Sequence, residues 1–319
     1  MSVILEAKHI SKNFGLTQAL KDVSVTIDEG EVIGLIGENG SGKSTLSSII
    51  SGVYPQSEGE LTLDGKPYKP ADTLDAQNHG ISMIAQEMGT LPGIKVADNL
   101  FIGKEQLFTK HGVVDRKKMY QEARKALEKI GIDNIHPEDP IIKYSLEERK
   151  LVEVVRALYT NPRIFIVDET TTALSQRGRD IIYQVIKNMK KENKTVLFIS
   201  HDLEELMEVC SKLIVLRDGV FVAELEKSEF EEEKIKELMV GRKLTGDYYR
   251  SDYDGSYGKE VVLSAEKLYV GDSLKGVSLE LHKGEILGIG GLTDCGMHEL
   301  GKALFGNVKS LYGEVKLGN

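Results

Sequence analysis

A short segment near the start of the chain has the residue types and spacing needed to bind a phosphate. It matches the pattern G-x-x-x-x-G-K-[ST] and comprises Gly37, Glu38, Asn39, Gly40, Ser41, Gly42, Lys43, Ser44 and Thr45. Glycines allow the backbone to curl so that successive N–H groups point at one anion. Lys43 supplies a full positive charge, and the Ser44 hydroxyl is a ligand that Mg²⁺ accepts. The loop therefore predicts binding of the phosphates of a nucleotide.

The elements predicted on either side of this loop would hold it in place. Residues 31–36 form a short apolar, β-branched run that is typical of a buried strand. Residues 46–50 are predicted to begin a helix, and the positive N-terminal end of a helix strengthens the field on a bound anion. The sequence thus predicts strand, glycine loop and helix in the order that this motif requires.

Polar residues follow three further predicted strands. Asp168 and Glu169 end one apolar run, Gln86 follows a second, and His201 follows a third. Open α/β sheets bind ligands at the carboxyl ends of their strands, so we expect these side chains to lie near the phosphates. One carboxylate can hold Mg²⁺, and the other can orient or deprotonate a water. His201 is either a γ-phosphate contact, which its place at this edge favours, or a structural group.

Composition narrows the class of protein. The chain has 319 residues, 40% of them hydrophobic and 29% charged, which is typical of a water-soluble globular protein. Its net charge of −9 argues against nucleic acid as a partner. No apolar run approaches the roughly 20 residues that span a bilayer. The two cysteines, Cys210 and Cys295, lack metal-binding spacing and suit a reducing cytoplasm.

The sequence predicts one complete domain, a linker and the start of a second domain. Residues 1–242 form the first domain, in which short alternating runs before residue 30 predict antiparallel strands. Helical periodicity predicts a helical subdomain, spanning about residues 88–160, inserted between core strands. Residues 243–259 are small, polar and rich in tyrosine, which is typical of a linker.

Residues 260–319 repeat the start of the first domain. Gly30-Glu31 recurs at Gly284-Glu285, and Gly59-Glu60 recurs at Gly313-Glu314, with an offset of 254 in both cases. The repeat ends before the later strands of the first domain have counterparts. We therefore expect the chain to be a fragment, natural or engineered, of a longer protein.

The offset places a second phosphate loop at residues 291–299, and this loop has lost its charge pattern. Asp294 replaces the equivalent of Gly40, and Met297 replaces the equivalent of Lys43. A carboxylate about 4 Å from a phosphate costs about 4 kcal/mol per charge pair at an effective dielectric constant near 20. We expect that the second loop does not support ordinary Mg-ATP hydrolysis.

Together these residues resemble the ATPase subunits of ATP-binding cassette (ABC) transporters, over essentially the whole chain. The resemblance implies an α/β fold with a P-loop NTPase core, an antiparallel β subdomain and a helical subdomain, followed by an incomplete second copy. Residues 37–45 correspond to the Walker A loop that binds ATP, and residues 172–175 to the D-loop.

The resemblance also implies roles for single residues. Ser44, Asp168 and the Q-loop residue Gln86 would arrange Mg²⁺ and water, while Glu169 at the end of Walker B would act as general base or polarise the water. His201 would be the switch histidine that reads the γ-phosphate. Phe14 would stack on adenine; packing in the core is the alternative for this residue.

The ABC signature motif is altered in this chain. The family's Leu-Ser-x-Gly-Gln falls on residues 144–148, where Ser145 is retained and Glu147 replaces the glycine that approaches the γ-phosphate. In this family two cassettes pair head to tail, and each ATP lies between one cassette's Walker motifs and the other's signature. Glu147 and Met297 would therefore share one composite site. Our hypothesis is one hydrolytic site and one structural site.

The duplicated arrangement is similar to the fused two-cassette subunits of bacterial importers for ribose, galactose, xylose and related simple sugars. That likeness implies an ATP- and Mg²⁺-dependent ATPase at the cytoplasmic face of the cell membrane. Its partners would be integral membrane permease subunits and, through them, a periplasmic or lipid-anchored sugar-binding protein. The second cassette would lie in cis or in a dimer partner.

Three alternatives remain open on the sequence alone. A nucleoside importer uses similar fused subunits. A soluble twin-cassette ATPase acting on ribosomes or DNA would be expected to carry two working Walker A loops and a long charged linker, and the sequence shows neither feature. A non-enzymatic nucleotide-binding module is the third alternative.

Overall fold

The computed structural model describes residues 2–242, 256–291 and 295–318. The chain divides into two compact units, residues 1–244 and residues 245–319. Within the described ranges no helix is both long and apolar enough to cross a bilayer. The strands and helices of the first unit are β1 (Val3–Phe14), β2 (Thr17–Asp28), β3 (Val32–Ile36), α1 (Lys43–Ile50), β4 (Glu58–Leu63), β5 (Lys66–Pro67), α2 (Thr73–Asn78), β6 (Ile81–Ile84), α3 (Val96–Leu100), β7 (Thr109–Lys110), β8 (Val113–Val114), α4 (Arg116–Glu128), α5 (Leu146–Tyr159), β9 (Ile164–Asp168), α6 (Gln176–Lys191), β10 (Thr195–Ile199), α7 (Leu203–Val209), β11 (Lys212–Arg217), β12 (Val220–Glu226) and α8 (Glu232–Val240).

A six-stranded sheet forms the centre of the first unit. Its strand order is β12-β11-β3-β10-β9-β6, and all neighbouring pairs are parallel except β11 with β12. Every residue of β3, β9 and β10 is buried, because these strands are apolar runs covered on both faces. The predicted buried strands are confirmed. The polar residues that follow them therefore meet at one edge of this sheet.

A second, antiparallel sheet covers one face of the central sheet. Its order is β2-β1-β4-β5, as the alternating pattern before residue 30 predicts. Leu5, Ile10 and Leu20 from this sheet share a core with Ile33 and Ile166 from the central sheet. The opposite face of the central sheet, which presents residues such as Phe165, packs against α6 and α7.

Helices α3, α4 and α5 form a region with its own core. Phe101, Phe108, Met119 and Val152 pack together there, so this segment buries apolar surface independently of the sheet. The predicted helical stretches are confirmed in α4 and α5, whereas the short hairpin of β7 and β8 within the same region was not predicted. Helix α5 also places Val154 in the core of the central sheet and thus joins the two regions.

The second unit repeats the antiparallel sheet of the first. Its order, β14-β13-β15, matches β2-β1-β4. Residues 286–290, which correspond to β3 at the offset of 254, form no strand. Of the predicted linker, residues 243–255 lie outside the described residues. The elements of the second unit are β13 (Val261–Val270), β14 (Leu274–His282), α9 (Met297–Leu304) and β15 (Tyr312–Leu317).

The two units share a hairpin register but differ at its tip. Bulges interrupt both hairpins at corresponding steps, which aligns β13 and β14 with β1 and β2. In the first unit, pairing continues past Lys12 and Leu20 to a tip that includes Phe14. The equivalent pair, Val270 and Leu274, closes a hairpin that is four residues shorter. The second unit therefore has no counterpart of the segment that carries Phe14.

Candidate functional site

The predicted phosphate loop connects β3 to α1, as its sequence requires. Gly42 has φ of +99°, and a Cβ atom there would lie 2.8 Å from the carbonyl oxygen of Ala19. A Cβ atom on Gly37 would lie 2.1 Å from the carbonyl oxygen of Leu216. Only glycine fits at both positions, because the loop backbone packs directly against β2 and β11. Close packing against β2 and β11 thus holds the loop in its curled form.

Lys43 is held inside this loop. Its Nζ donates to the carbonyl oxygens of Gly37 at 2.8 Å and Glu38 at 3.0 Å. Burial lowers the pKa of the Lys43 ammonium, while the charges of Glu169 and Asp168 act in the opposite direction. An incoming phosphate oxygen would offer this ammonium a stronger partner than a neutral carbonyl does. Lys43 is therefore positioned to bind a phosphate.

Asp168 lies beside the loop helix, where it can hold a cation. Its carboxylate accepts hydrogen bonds from Ser44 Oγ at 3.3 Å and Ser47 Oγ at 3.4 Å. Burial raises the pKa of Asp168, and the nearby Glu169 adds to this effect, while the two serines and Lys43 oppose it. A hydroxyl and a carboxylate are oxygen donors of the kind that Mg²⁺ prefers. This pair therefore fits Mg²⁺; sequence reasoning missed the contribution of Ser47.

The structure brings the three predicted catalytic residues together. The Oε2 atom of Glu169 accepts a hydrogen bond from Gln86 Nε2 at 2.9 Å and lies 4.0 Å from His201 Nδ1. Glu169 itself has φ of +42°, a left-handed conformation that costs a non-glycine residue about 1–3 kcal/mol. Its backbone N–H donates to the carbonyl oxygen of Ile199 at 2.9 Å, which fixes this turn against the end of β10. The arrangement can orient a water at the edge of the sheet.

A buried carboxylate, Glu205, connects the segments behind these residues. Its oxygens accept hydrogen bonds from Ser200 Oγ at 2.6 Å, Tyr183 OH at 2.6 Å and Thr171 Oγ1 at 2.9 Å. Thr171 lies two residues after Glu169, and Ser200 directly precedes His201. Sequence reasoning missed Glu205. The only signal was an acid one helical turn beyond the histidine.

Phe14 is exposed at the tip of the β1–β2 hairpin. The residue is 43% exposed, and its ring meets the Tyr54 ring edge to face, with 5.4 Å between centroids. Lys12 Nζ lies 5.0 Å from the centre of the Phe14 ring. The core-packing alternative is therefore wrong. Stacking of Phe14 on a base stays a prediction, and Tyr54 and Lys12 are neighbours that the sequence did not indicate.

The altered signature segment makes bonds within its own unit. Ser145 caps α5 in a capping box with Glu148. Glu147 Oε1 accepts a hydrogen bond from Ser175 Oγ at 2.6 Å, so its carboxylate is bound to the predicted D-loop. The residue that replaces the signature glycine is thus part of an internal contact.

The second predicted phosphate loop is described only in part. Met297 is the first residue of α9, and Gly296 before it has φ of +90°, close to the +99° of Gly42. Asp294 lies outside the described residues. The start of α9 thus keeps the loop-to-helix geometry of the first unit, with a thioether side chain where the first unit has Lys43.

Comparisons with known proteins agree with this geometry. Residues 20–172 match the family described as ABC transporter. The chain is 38% identical over 320 residues to the ribose import ATP-binding protein RbsA of Caldanaerobacter subterraneus subsp. tengcongensis, covering 100% of this chain and 63% of the relative. It is also 38% identical over 317 residues to RbsA of Burkholderia pseudomallei, covering 98% of this chain and 61% of the relative. The chain thus spans less than two thirds of the length of these relatives.

A solved structure shows the same fold. The crystal structure of a nucleotide-free ATP-binding cassette from an ABC transporter superimposes with a TM-score of 0.65 at 27% identity. The match covers 74% of this chain and 98% of that cassette. With its P-loop core, antiparallel sheet and helical region, the first unit has the fold of an ATP-binding cassette, and residues 20–172 within it match the ABC transporter family.

Proposed function

We propose that this chain is part of an ATP-binding and ATP-hydrolysing subunit that energises import of a simple sugar. The observation that carries this proposal is the convergence of two polar pairs at one sheet edge. Ser44 Oγ lies 3.3 Å from Asp168 Oδ1, and Gln86 Nε2 lies 2.9 Å from Glu169 Oε2. Relatives named ribose import ATP-binding protein support the choice of sugar.

The geometry suggests a role for each residue in hydrolysis. The amides of the phosphate loop and Lys43 would bind the β- and γ-phosphates of ATP. Ser44 and Asp168 would hold Mg²⁺, which neutralises charge developing on the phosphoryl oxygens. Glu169 would take the proton of the attacking water or polarise it, since its carboxylate is already oriented by Gln86. His201 would contact the γ-phosphate from the neighbouring strand.

We propose further that the complete protein has one hydrolytic site and one structural site. The first site would combine the Walker motifs of residues 37–45 and 164–169 with the signature of the second cassette. The other would combine Glu147 with the loop that contains Asp294 and Met297. The internal bond from Ser175 to Glu147 supports this view, because it holds a negative carboxylate at the position of the family's signature glycine, where it would repel a phosphate.

Membrane permease subunits would dock near the Q-loop. A cavity of about 450 Å³ lies between the sheet and the helical region and includes Val53, Leu74, Ala85 and Ile102 in its lining. Ala85 directly precedes Gln86, so a permease segment that docks in this cavity would shift the backbone next to the hydrolytic site. The subunit would lie at the cytoplasmic face of the membrane. The permease would couple it to an external sugar-binding protein.

Substitution in the complete protein, assembled with its membrane subunits, tests the hydrolytic roles. Glu169→Gln should abolish ATP hydrolysis while leaving ATP binding intact, and Lys43→Ala should abolish both. Lys117→Ala, at an exposed position of α4, is the matched control and should leave both unchanged. Transport-coupled hydrolysis that survives Lys43→Ala would contradict the proposal.

Transport assays with ribose, galactose, xylose and nucleosides decide the class of cargo. Sugar-stimulated hydrolysis supports the proposal, and stimulation by nucleosides alone replaces it with the nucleoside importer. Co-purification with ribosomes instead of membrane subunits would favour the soluble twin-cassette ATPase, which the relatives do not support.

A further inference from the structure

The segment that carries Gln86 is fastened to helix α5 by a buried lysine. Lys150 is 2% exposed, and its Nζ donates to three consecutive carbonyl oxygens of this segment. The distances are 2.9 Å to Ala85, 3.3 Å to Gln86 and 3.0 Å to Glu87. The fourth partner of the ammonium is Glu153 Oε2 at 3.0 Å. A single cation thus satisfies the backbone on both sides of the predicted Q-loop glutamine.

Two more residues of the same helix face bind the next part of this segment. Glu153 Oε1 accepts a hydrogen bond from the backbone N–H of Gly89, and Arg156 Nη1 donates to the Gly89 carbonyl oxygen at 3.1 Å. A Cβ atom on Gly89 would lie 3.0 Å from Arg156 Nη2. Residues 85–89 therefore lie flat against α5, held at positions one helical turn apart.

A buried charge in such a place is costly unless each of its partners is present. A lysine ammonium has three donor hydrogens, and the three carbonyls together with Glu153 supply acceptors for them. An apolar side chain at position 150 would remove the donor that these three carbonyls and Glu153 Oε2 share in the interior. The bonds therefore fix the path of the backbone and do more than fill space.

We propose that Lys150 is a positioning residue for ATP hydrolysis, which acts by holding Gln86 in the orientation that bonds Glu169. This inference rests on the proposed ATPase function. The path runs from Lys150 Nζ to the backbone of Gln86, and from Gln86 Nε2 to Glu169 Oε2 at 2.9 Å. Lys150 itself touches neither nucleotide nor water in this scheme.

Steady-state kinetics of the complete ATPase subunit test the role. Lys150→Met should lower kcat by about 10- to 100-fold, as expected for a misplaced catalytic group, with KM for ATP changed less than about threefold. Lys150→Arg, which keeps a donor cation, should recover part of the loss. Lys212→Met is the matched control, since Lys212 is also a buried lysine bound by carboxylates but lies away from this segment. It should lower stability without the same loss of kcat.

A double-substitution cycle separates positioning from general damage. If Lys150 acts through Gln86, Lys150→Met should cause no further loss of kcat in a Gln86→Ala background. Additive losses would overturn the inference, as would a Lys150→Met enzyme with normal kcat. If the unsubstituted subunit hydrolyses no ATP, the proposed function fails instead.

Hydrogen exchange tests the inference even if the unsubstituted subunit hydrolyses no ATP. Hydrogen exchange of the amides over residues 86–89 should be faster in Lys150→Gln than in Lys212→Met, compared at equal global stability. Equal exchange in the two variants would show that Lys150 does not hold this segment.

Discussion

Replacing Glu205 should damage both stability and turnover, because one carboxylate serves three hydroxyl donors. Tyr183, Ser200 and Thr171 each donate to it, and it is 6% exposed. A hydrogen bond to a charged group contributes about 1.5–3 kcal/mol, and some hydroxyls find new partners, so Glu205→Ala should cost about 3–5 kcal/mol. Such a loss is a large fraction of the 5–15 kcal/mol typical of a folded domain.

The isosteric variant separates charge from shape. Glu205→Gln keeps one carbonyl oxygen as an acceptor and adds an amide group whose two N–H bonds can donate to the neighbouring hydroxyl oxygens. It should therefore lower the free energy of unfolding by only about 1–2 kcal/mol. Urea unfolding at constant slope measures both values. Glu204→Ala is the matched control on the same helix, since Glu204 is exposed, and it should change the free energy of unfolding by less than about 0.5 kcal/mol.

The same substitutions should lower kcat for ATP. Thr171 and Ser200 flank Glu169 and His201, so loosening their shared partner lets both side chains shift. We expect kcat to be lowest for Glu205→Ala, intermediate for Glu205→Gln and highest for wild type. Equal stability and equal kcat for Glu205→Ala and Glu204→Ala would refute the reasoning.

Alkaline titration gives a further check on this network. Burial, and next the bond to Glu205, raise the pKa of Tyr183 above its ordinary value near 10. The folded state therefore keeps this proton at a pH where the unfolded chain releases it, so the contribution is complete below about pH 10 and declines above it. Wild type should lose more stability than Tyr183→Phe between about pH 9.5 and 11, and parallel curves would contradict this account.

Further predictions concern the ligand-binding groups. Asp168→Asn should raise the melting temperature without Mg²⁺ at pH 7, because burial raises the pKa of Asp168 and disfavours its ionised form; the gain should shrink as pH falls through that pKa, and Mg²⁺-dependent hydrolysis should be lost. Phe14→Ala should weaken ATP binding by about 1–3 kcal/mol, measured by calorimetry, whereas Leu16→Ala at the same exposed tip should not. Glu147→Ala should lower the free energy of unfolding by about 1 kcal/mol, since Ser175 loses its partner; an unchanged value would exclude that contact.

Much of the first unit could be predicted because its signals are local. Apolar runs of four to six residues predict the buried strands, and the glycine loop is defined by consecutive residues such as Gly42 and Lys43. The meeting of Gln86, Glu169 and His201 also followed from the sequence, since each ends a strand of one parallel sheet. Parallel topology converts three separate strand ends into one site.

The supporting contacts could not be predicted, because nothing in the local pattern connects their members. Glu205 and Thr171 are 34 residues apart, and Lys150 and Ala85 are 65 apart. In sequence Lys150 resembles any charged residue on an amphipathic helix, and only the packed structure shows it buried. The position of Phe14 could not be predicted for a different reason: an aromatic residue at a strand end is compatible with either the core or the surface.

The two units together indicate which features the second copy has kept. Its hairpin register, its bulges and the left-handed glycine before α9 follow the first unit, and these features depend on backbone packing. Two of the differences fall where the first unit would touch nucleotide: the tip with Phe14 is four residues shorter, and Met297 stands in place of Lys43. These two changes remove attraction for an anion, while the hairpin and the start of α9 keep the backbone geometry of the first unit. A second unit that keeps this backbone geometry but lacks the charge of Lys43 is what our proposal of one hydrolytic and one structural site requires.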